Sequence, residues 1–317
     1  MYYVGVDIGG MSIKCGIVDK MGNIIASSSI VTEKIEPEIQ IEKVGVQIKK
    51  LLSDNNVKEN DVLKIGVGCP GAIDGKKGVV NYSSNLKWTN FNLKQNLEKV
   101  TGKPVRIAND ADAATLGEVI FGVAKDYKTV VMLTLGTGVG GGVVIDKKLY
   151  EGPNGMATEF GHIVMRNNGI PCGCGRRGCF EQYASATALI RYTKQEMLKN
   201  KDSLMWSECG GNIDNASGKT SFLCAKKGDK SARKVVKKYV NYLSEGILDF
   251  CNLFRPEAIV LGGGISKEGE YLTEKIVKYL EKYSYGYKNS PKSLILTAKL
   301  KNDAGIVGAA SLVAEEF

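Results

Sequence analysis

Residues 3–26 read YVGVDIGGMSIKCGIVDKMGNIIA. Three short, mostly apolar runs follow one another in this stretch, and glycine-containing turns separate them. β-Branched runs bounded by glycine are typical of strands joined by tight hairpins. The pattern predicts three consecutive strands, with one hairpin at Gly9-Gly10 and another turn around Gly22.

The same pattern returns in residues 131–146, which read VMLTLGTGVGGGVVID. Gly9 aligns with Gly136 and Asp19 with Asp146, both at an offset of 127 residues. Two glycine-rich hairpins can align by chance, or they can mark a duplicated unit. We interpret them as a duplication in which one copy opens each of two lobes.

The rest of the chain alternates between strand and helix patterns. Apolar residues recur at helical spacing in residues 41–51, short apolar runs at 63–68 and 105–108 predict strands, and the run at 258–261 meets three glycines. Alternating strands and helices are typical of an α/β fold. We expect an α/β protein with a cleft between its lobes, and a polar surface loop at 206–220.

The composition is that of an ordinary globular protein, because 43% of the 317 residues are hydrophobic and 24% are charged. The uncharged run at 130–145 is interrupted by glycines, so no membrane span is expected. The first residues show no export signal, so we expect a cytoplasmic protein. The net charge of +9 comes from scattered basic residues, which favours a solvated basic surface over nucleic-acid binding.

The glycine run at 136–141 matches the G-x-G-x-x-G spelling of dinucleotide-binding folds. That motif requires a helix after it, whereas a strand pattern follows here. The hairpins at Gly9-Gly10 and 136–138 either form anion-binding concavities around phosphates or are tight turns that need left-handed glycine. Together with the glycines at 262–264, they favour a nucleotide site.

Asp7 lies at the end of an apolar strand, where a carboxylate is badly placed for packing. One interpretation is that it faces Mg²⁺ through water, because Mg²⁺ prefers carboxylate and phosphate oxygens. The other is that it stabilises the turn by bonding to the hairpin backbone. The sequence leaves both open.

The metal candidates are the one histidine of the chain and three of its eight cysteines, namely His162, Cys172, Cys174 and Cys179. Eight cysteines in a long chain without an export signal do not indicate a disulfide scaffold. Three thiolates and one imidazole suit tetrahedral Zn²⁺, and four protein ligands predict a structural role. Buried free thiols are the alternative.

Asn109 and Asp110 stand where a predicted strand gives way to a helix, the position at which open α/β sheets bind ligands. Asp110 is therefore a candidate general base, and the alternative is a helix N-cap. Glu159 and Glu181 flank the metal candidates, so an ordered loop would bring their carboxylates toward one place. Either glutamate can instead be a solvated surface residue.

Together these segments resemble the ROK family of bacterial sugar kinases and repressors. The resemblance is collinear from Tyr3 to the small residues at 304–310. It rests on Asp7-Ile8-Gly9-Gly10, Cys69-Pro70-Gly71, Asn85-Leu86-Lys87-Trp88, Asn109-Asp110-Ala111, the glycine run at 135–142, Glu159-Phe160-Gly161-His162, the segment 172–181 and Leu261-Gly262-Gly263-Gly264.

The resemblance implies an α/β, actin-like fold, which is a duplicated, ribonuclease H-like architecture with two lobes. The expected small lobe is 1–118, with a C-terminal helix at 304–317 packing back on it. The expected large lobe is 119–303, and it carries the zinc loop. The implied activity is ATP-dependent transfer of phosphate to a sugar hydroxyl, with Mg²⁺ accompanying ATP.

The resemblance also implies roles for individual residues, with Asp110 as the general base. The sugar would be held by Gly71, Asn85, Asn109, Asp110, Glu159, His162 and Glu181. ATP and Mg²⁺ would be held by Asp7, Gly9, Gly10, Ser12, Lys14, Thr137 and Gly138, with Gly263 and Gly264 on the adenosine side. His162 would serve twice, with one ring nitrogen on zinc and the other toward the sugar.

Three residues depart from the family pattern. Met11 stands where threonine is usual, so a hydroxyl near the phosphates is missing. Thr158 stands where glycine usually precedes the glutamate of the sugar motif, and Asp112 stands where asparagine is common. Both bear on which sugar is preferred.

Within the family, the set Glu159, His162 and Glu181 resembles that of glucokinases, so glucose is the first expected sugar. N-acetylmannosamine, N-acetylglucosamine, fructose and allose are the alternatives. Family repressors carry a DNA-binding domain before the first glycine motif, and the six residues ahead of Asp7 leave no room for one, so a kinase is expected. A sugar sensor without catalysis is the remaining rival, and analogy predicts a homodimer or homotetramer.

Overall fold

The structure is a computed structural model that describes residues 1–314. The chain forms two compact units. The first contains residues 1–130, 142–158 and 299 onward, and the second contains residues 131–141 and 159–298. The lobe boundaries expected from the sequence, after residues 118 and 303, stay a prediction.

Strands and helices are numbered here in chain order. The strands are β1 (Tyr2–Ile8), β2 (Ser12–Val18), β3 (Ile24–Val31), β4 (Val62–Cys69), β5 (Ala72–Asp74), β6 (Val79–Ser83), β7 (Trp88–Phe91), β8 (Val105–Asn109), β9 (Val130–Leu135), β10 (Val139–Ile145), β11 (Lys148–Leu149), β12 (Ala258–Gly263) and β13 (Leu294–Thr297). The helices are α1 (Pro37–Asp54), α2 (Leu93–Thr101), α3 (Asp110–Ile120), α4 (Glu181–Ala184), α5 (Ala186–Lys199), α6 (Leu204–Glu208), α7 (Thr220–Lys226), α8 (Lys230–Phe254), α9 (Glu270–Tyr283) and α10 (Ala304–Ser311).

Two five-stranded sheets have equivalent strand orders, β3-β2-β1-β4-β8 and β11-β10-β9-β12-β13. In the first sheet, β2 is antiparallel to both β1 and β3, whereas β4 runs parallel to β1 and to β8. Strand β10 lies 127 residues after β2 at both of its ends. The predicted α/β class and the duplication of the hairpin unit are therefore confirmed. A smaller sheet, β5-β6-β7, follows β4.

Alternating residues of β1 face two helical layers. Val4 and Val6 are fully buried in a core shared with α1 and α2. Tyr3, on the opposite face, packs with Ile306 of α10. This alternation is what a strand between two apolar layers requires.

Helix α10 lies unusually close to the first sheet because the facing strand residues are glycines. A Cβ on Gly5 would lie 2.0 Å from the carbonyl oxygen of Ile306, and one on Gly66 would lie 1.8 Å from that of Ala309. The helix ends at Ser311, and residues 315–317 of the predicted 304–317 helix lie outside the described residues.

The segment expected to be a polar loop is partly ordered as helix. Helix α6 includes Trp206, whose indole N–H donates to the carbonyl oxygen of Met197 at 2.9 Å. Cys209 is buried as well. Among the helices of residues 1–314, none has the length and apolar character needed to cross a bilayer.

Candidate functional site

In the first unit, candidate residues gather at the carboxyl ends of three neighbouring strands. Strands β1, β4 and β8 lie side by side. Gly9 directly follows β1, whereas Cys69 and Asn109 are the last residues of β4 and β8. Burial raises the pKa of the Cys69 thiol, and the charges of Asp110 and Asp7 raise it further. Cys69 therefore lies within electrostatic range of both carboxylates that the sequence singled out.

Asp7 packs against the beginning of α10. A Cβ on Gly305 would lie 2.1 Å from Asp7 Oδ2, so only glycine leaves room for the carboxylate there. Burial raises the pKa of Asp7, and the opposing charge of Lys14, its neighbour across the β1–β2 pair, lowers it. Within residues 1–314, the hairpin backbone donates no hydrogen bond to Asp7, so the turn-stabilising interpretation loses its basis.

Asn109 caps α3, and this separates the two interpretations of the Asn109-Asp110 pair. The side-chain oxygen of Asn109 accepts from the backbone N–H of Ala111 at 2.9 Å. Its amide donates to the carbonyl oxygen of Gly71 at 3.1 Å. Asp110 is the first residue of the helix, is exposed, and accepts from the same Ala111 N–H at 3.0 Å. The N-cap position is thus filled by Asn109, and the role of Asp110 as base stays a prediction.

The first hairpin is closed by its own backbone and held by Thr32. Gly9 N–H donates to the carbonyl oxygen of Ser12 at 3.0 Å. The hydroxyl of Thr32 donates to the carbonyl oxygen of Gly9 at 2.7 Å. Met11 is 87% exposed. A Cβ on Gly10 would lie 3.6 Å from Asn85 Cβ, so a predicted sugar ligand and a predicted phosphate contact are neighbours.

The second hairpin docks on the start of α5. The carbonyl oxygen of Gly136 accepts from Ala186 N–H at 2.8 Å, and that of Thr137 accepts from the hydroxyl of Thr187 at 2.7 Å. The N-terminus of a helix is a favourable place for an anion, because its backbone N–H groups and dipole both attract negative charge.

Left-handed φ is not what requires glycine in the two hairpins. Close approach requires it at Gly9, where a Cβ would lie 2.9 Å from the carbonyl oxygen of Ser12, and at Gly138, where a Cβ would lie 2.6 Å from Glu181 Oε2. Gly9, Gly10, Gly136 and Gly138 all lack positive φ. Gly263 does have φ of 81°, and a Cβ there would lie 2.5 Å from the carbonyl oxygen of Leu135. The third glycine segment therefore lies directly on the end of β9, beside the second hairpin.

The four metal candidates form one cluster in the second unit. Their donor atoms all lie within 4.8 Å of one another. Cys174 Sγ is 3.6 Å from Cys179 Sγ, and Cys172 Sγ is 3.7 Å from His162 Nδ1. Around an ion with bonds of about 2.3 Å, tetrahedral donors are separated by about 3.8 Å. The donor set and its spacing fit Zn²⁺.

The loop that carries the cluster is closed by backbone bonds and by glycine. Cys172 N–H donates to the carbonyl oxygen of Arg176 at 2.9 Å, and Phe180 N–H donates to that of Ile163 at 2.8 Å. Gly178 has φ of 82°, and a Cβ there would lie 1.7 Å from the carbonyl oxygen of Arg166. The sequence between the cysteines thus sets the loop geometry.

Glu181 connects the metal cluster to the second hairpin. The thiol of Cys172 donates to Glu181 Oε1 at 3.0 Å, and His162 Nδ1 is 4.0 Å from the same oxygen. A Cβ on Gly138 would lie 2.6 Å from Glu181 Oε2. The carboxylate of Glu181 therefore lies against both the metal candidates and the second hairpin. The side chain of Glu159, by contrast, is exposed beside the turn that contains His162.

The cysteines differ in how readily they lose a proton. Burial is the main cause that raises the pKa of Cys172 to about 12, and its hydrogen bond to Glu181 adds to the rise. Burial also raises the pKa of Cys179. The backbone N–H of Arg176 is the main cause that lowers the pKa of the exposed Cys174. Metal binding at this cluster has to displace protons from the two buried thiols.

Two of the departures from the family pattern contact each other in the first unit. Thr158 has φ of 67°, an unfavourable value for a β-branched residue. Its hydroxyl lies 2.7 Å from the carbonyl oxygen of Ala157 and 3.2 Å from Oδ1 of the buried Asp112. Asp112 thus supports the strained residue that precedes Glu159.

Sequence reasoning did not assign a role to several residues that build the site. Gly305 makes room for Asp7, Thr32 holds the first hairpin, and Thr187 holds the second. The small-residue segment at 304–310 was a visible signal for a close approach of helix and strand. Nothing in the sequence near Thr32 or Thr187 identifies their partners, because each bonds to a residue far away in the chain.

The chain matches known proteins over nearly its whole length. The sequence profile of the ROK family matches residues 3–316. A glucokinase from Streptomyces coelicolor is 35% identical over 314 residues, which are 98% of this chain and 97% of that protein. A xylose repressor from Bacillus subtilis is 28% identical, and the match covers 100% of this chain and 78% of the repressor.

A solved structure shows the same architecture. The crystal structure of a ROK family glucokinase from Streptomyces griseus, in complex with glucose and AMPPNP, gives a TM-score of 0.81 with 35% sequence identity. The match covers 98% of this chain and 99% of that chain. The expected actin-like α/β fold is therefore confirmed.

Proposed function

Because this chain belongs to the ROK family, we propose that it transfers a phosphate group from ATP to a hydroxyl of a hexose, with glucose converted to glucose 6-phosphate as the first choice. The support is the 35% identity to a glucokinase over almost the whole chain, together with the fold shared with a glucokinase that binds glucose and AMPPNP.

The main support for the proposal is that Asn109 and Asp110 occupy different positions, Asn109 as the N-cap of α3 and Asp110 as its first residue. Asn109 is the N-cap of the helix, and the carboxylate of Asp110 is exposed in its first turn, where it would accept a proton from the attacking sugar hydroxyl. Phosphoryl transfer mainly requires positioning and charge neutralisation, so one carboxylate that activates the hydroxyl completes the chemistry.

We assign the remaining sugar contacts to Gly71, Asn85, Asn109, Glu159, His162 and Glu181. The 4.0 Å between His162 Nδ1 and Glu181 Oε1 supports their acting together. Because Nδ1 faces the cysteine cluster, Nε2 is the ring nitrogen left to bond to the sugar. These residues recognise hydroxyl groups by position, which lowers the entropic cost of the reaction.

ATP would be held by the hairpin at Gly9 and Gly10, by the backbone N–H groups of Thr137 and Gly138, by Ser12 and Lys14, and on the adenosine side by Gly263 and Gly264. At the first hairpin the donor would be the N–H of Gly10, because that of Gly9 already bonds to Ser12. The donor type and partial burial of Asp7 suit hydrated Mg²⁺, which would neutralise phosphate charge when bound. Zn²⁺, held by His162 and the three cysteines, would order the segment that carries Glu181.

The test is ADP release by the purified protein in the presence of ATP, Mg²⁺ and a panel of hexoses. We expect turnover that depends on the added sugar and is fastest with glucose. Faster turnover with N-acetylmannosamine, N-acetylglucosamine, fructose or allose would reassign the substrate. Glucose binding in calorimetry without ADP release for any sugar would contradict the kinase and support the non-catalytic sensor.

The predicted cytoplasmic location and the predicted homodimer or homotetramer belong to this proposal as well. Sedimentation analysis of the purified protein tests the assembly. A monomer at micromolar concentration would contradict that part.

A further inference from the structure

A cavity of about 570 Å³ lies in the second unit, lined in part by residues 166–171 and Arg177 of the loop that carries the metal candidates. Asp and Glu are absent from its lining. The cations that line it are Arg166, Arg177, Arg191 and Lys238.

Three tyrosines form the floor of this cavity. The ring of Tyr242 lies between those of Tyr183 and Tyr192, with centroid distances of 4.9 Å and 6.2 Å. The side-chain faces of Tyr183 and Tyr192 are otherwise buried. The floor is therefore a fixed aromatic surface rather than a set of mobile side chains.

The cations are stacked on this floor. Arg166 Cζ is 5.5 Å from the centroid of Tyr242, whereas Arg191 Cζ and Lys238 Nζ are 5.3 Å and 4.1 Å from that of Tyr192. Cation–π contacts attract each cation to a ring, but they leave the positive charge uncompensated. The stacking thus holds like charges side by side.

No carboxylate lines the cavity, and the nearby Glu196 forms its salt bridge with Lys234 instead. Among residues 1–314, none of the four cations is in a salt bridge. Burial lowers the pKa of Lys238, and the nearby charges of Arg191, Lys199 and Arg166 lower it further, whereas the charge of Glu196 partly offsets them. A bound anion would relieve the repulsion that these neighbours exert on one another.

We propose that this cavity binds the phosphate group of a small molecule. Arginine side chains present paired N–H donors that match phosphate oxygens. The cavity is larger than a single phosphate ion requires and falls in the range of small-molecule sites. The cavity has room for the body of a phosphate ester beside the stacked cations, whereas free inorganic phosphate would use the cations alone.

The cavity shares its wall with the segment that carries Glu181. The hydroxyl of Tyr183 accepts from Ile170 N–H at 3.0 Å, and Ile170 lies in the segment between His162 and Glu181 that carries the three cysteines, here called the metal loop. The guanidinium of Arg191 donates to the carbonyl oxygen of Gln182. A ligand that contacts Arg191 therefore acts on the residue next to Glu181. This coupling to the sugar residues rests on the proposed function, whereas phosphate binding itself does not.

The site is tested by calorimetry on zinc-loaded protein with its sugar site filled by glucose. Inorganic phosphate and glucose 6-phosphate are the two probes. We expect binding that weakens at least tenfold in the double variant Arg191→Gln/Lys238→Gln and in Lys238→Gln by itself. Lys237→Gln, which removes the same charge from the neighbouring position of α8, should bind like the parent protein.

Tighter binding of the ester than of inorganic phosphate would identify a phosphorylated metabolite as the ligand, and equal binding would identify free phosphate. Failure of both probes to bind at millimolar concentration, or equal binding by all variants, overturns the site. If the probes fail and the double variant instead changes the sedimentation coefficient, the surface is a contact between copies of the chain.

The coupling is tested separately by titrating glucose with and without the tighter probe. We expect the Kd of glucose to change at least threefold, and the change to vanish in Lys238→Gln. An unchanged Kd overturns the coupling. Because these measurements follow binding, a protein that binds phosphate here but never releases ADP would contradict the kinase and not the site.

Discussion

In the first sheet, the strand before the glycine hairpin carries Asp7 and the strand after it carries Lys14. The equivalent positions of the second sheet, 127 residues later, carry Thr134 and Gly141. The two hairpins share strand order and spacing, yet only the first has its own acid and base. The second receives a carboxylate from outside the sheet, because Glu181 of α4 lies against Gly138.

The comparison shows that the duplicated units share their backbone structure but differ in their charged side chains. The backbone of strand, glycine turn and strand is the same in both copies, since it depends on strand patterning and small residues. The charges are not part of that framework. We infer that the first sheet supplies the groups for chemistry, whereas the second supplies backbone donors and depends on the metal loop for its acid.

The substitution with the largest expected effect tests whether the first unit supplies the groups for the chemistry. Asp110→Asn should lower kcat by about 10²–10⁴-fold, because the amide cannot accept the proton of the attacking hydroxyl. Glucose and ATP should still bind, and Asn109 should still cap α3. Steady-state kinetics and calorimetry measure the two properties. A kcat near that of the parent protein would reduce Asp110 to a structural residue.

The next substitution tests whether the metal loop supports Glu181. Cys179→Ser should abolish the proposed zinc binding and weaken glucose binding by about 10–100-fold, because Glu181 loses its ordered support. Metal analysis and glucose titration measure the two effects. Cys251→Ser is the matched control, because its partner Ser293 lies outside the cluster. Full glucose affinity in a zinc-free Cys179→Ser protein would contradict the proposed dependence of Glu181 on the metal loop.

The contact between the second hairpin and Glu181 can be tested with two alanine substitutions. A Cβ on Gly138 would meet Glu181 Oε2 at 2.6 Å, whereas one on Gly136 would meet no atom within 4 Å. Gly138→Ala should therefore raise the KM of glucose by about tenfold, the effect of losing about one hydrogen bond to a charged group. Gly136→Ala should leave it unchanged. Equal effects of both substitutions would show that the hairpin backbone, and not Glu181, is responsible.

The smallest effect sharpens the difference between the hairpins. Met11 is exposed at the tip of the first hairpin, so Met11→Thr should not change stability. The added hydroxyl should lower the KM of ATP by about two- to tenfold, as expected for one hydrogen bond of about 0.5–1.5 kcal/mol. An unchanged KM would mean that the backbone N–H groups alone bind the phosphate at this hairpin.

The sequence predicted those parts of the molecule that depend on neighbouring residues. The three opening strands follow from alternating apolar residues and glycine turns, and the grouping of His162 with three cysteines follows from their close spacing. Both signals are local. The same holds for Asn109 and Asp110, whose position between strand and helix identified them as candidates.

Contacts between distant segments escaped prediction. The approach of Gly305 to Asp7 and the bond between Thr32 and Gly9 join residues that no sequence period connects. The prediction of a surface loop at 206–220 was wrong at its start, where α6 extends to Glu208 and the indole of Trp206 bonds to Met197. In each case tertiary packing decided the outcome.

The glycines beneath α10 also affect when the first unit can complete its folding. During synthesis on the ribosome, β1 and β4 emerge early, but the helix that covers their second face is translated more than two hundred residues later. Until then, Tyr3 and the bare backbone at Gly5 and Gly66 lack their native cover. The first unit can therefore complete its packing only after the last helix has been translated, and its exposed apolar surface must be kept from aggregating until then.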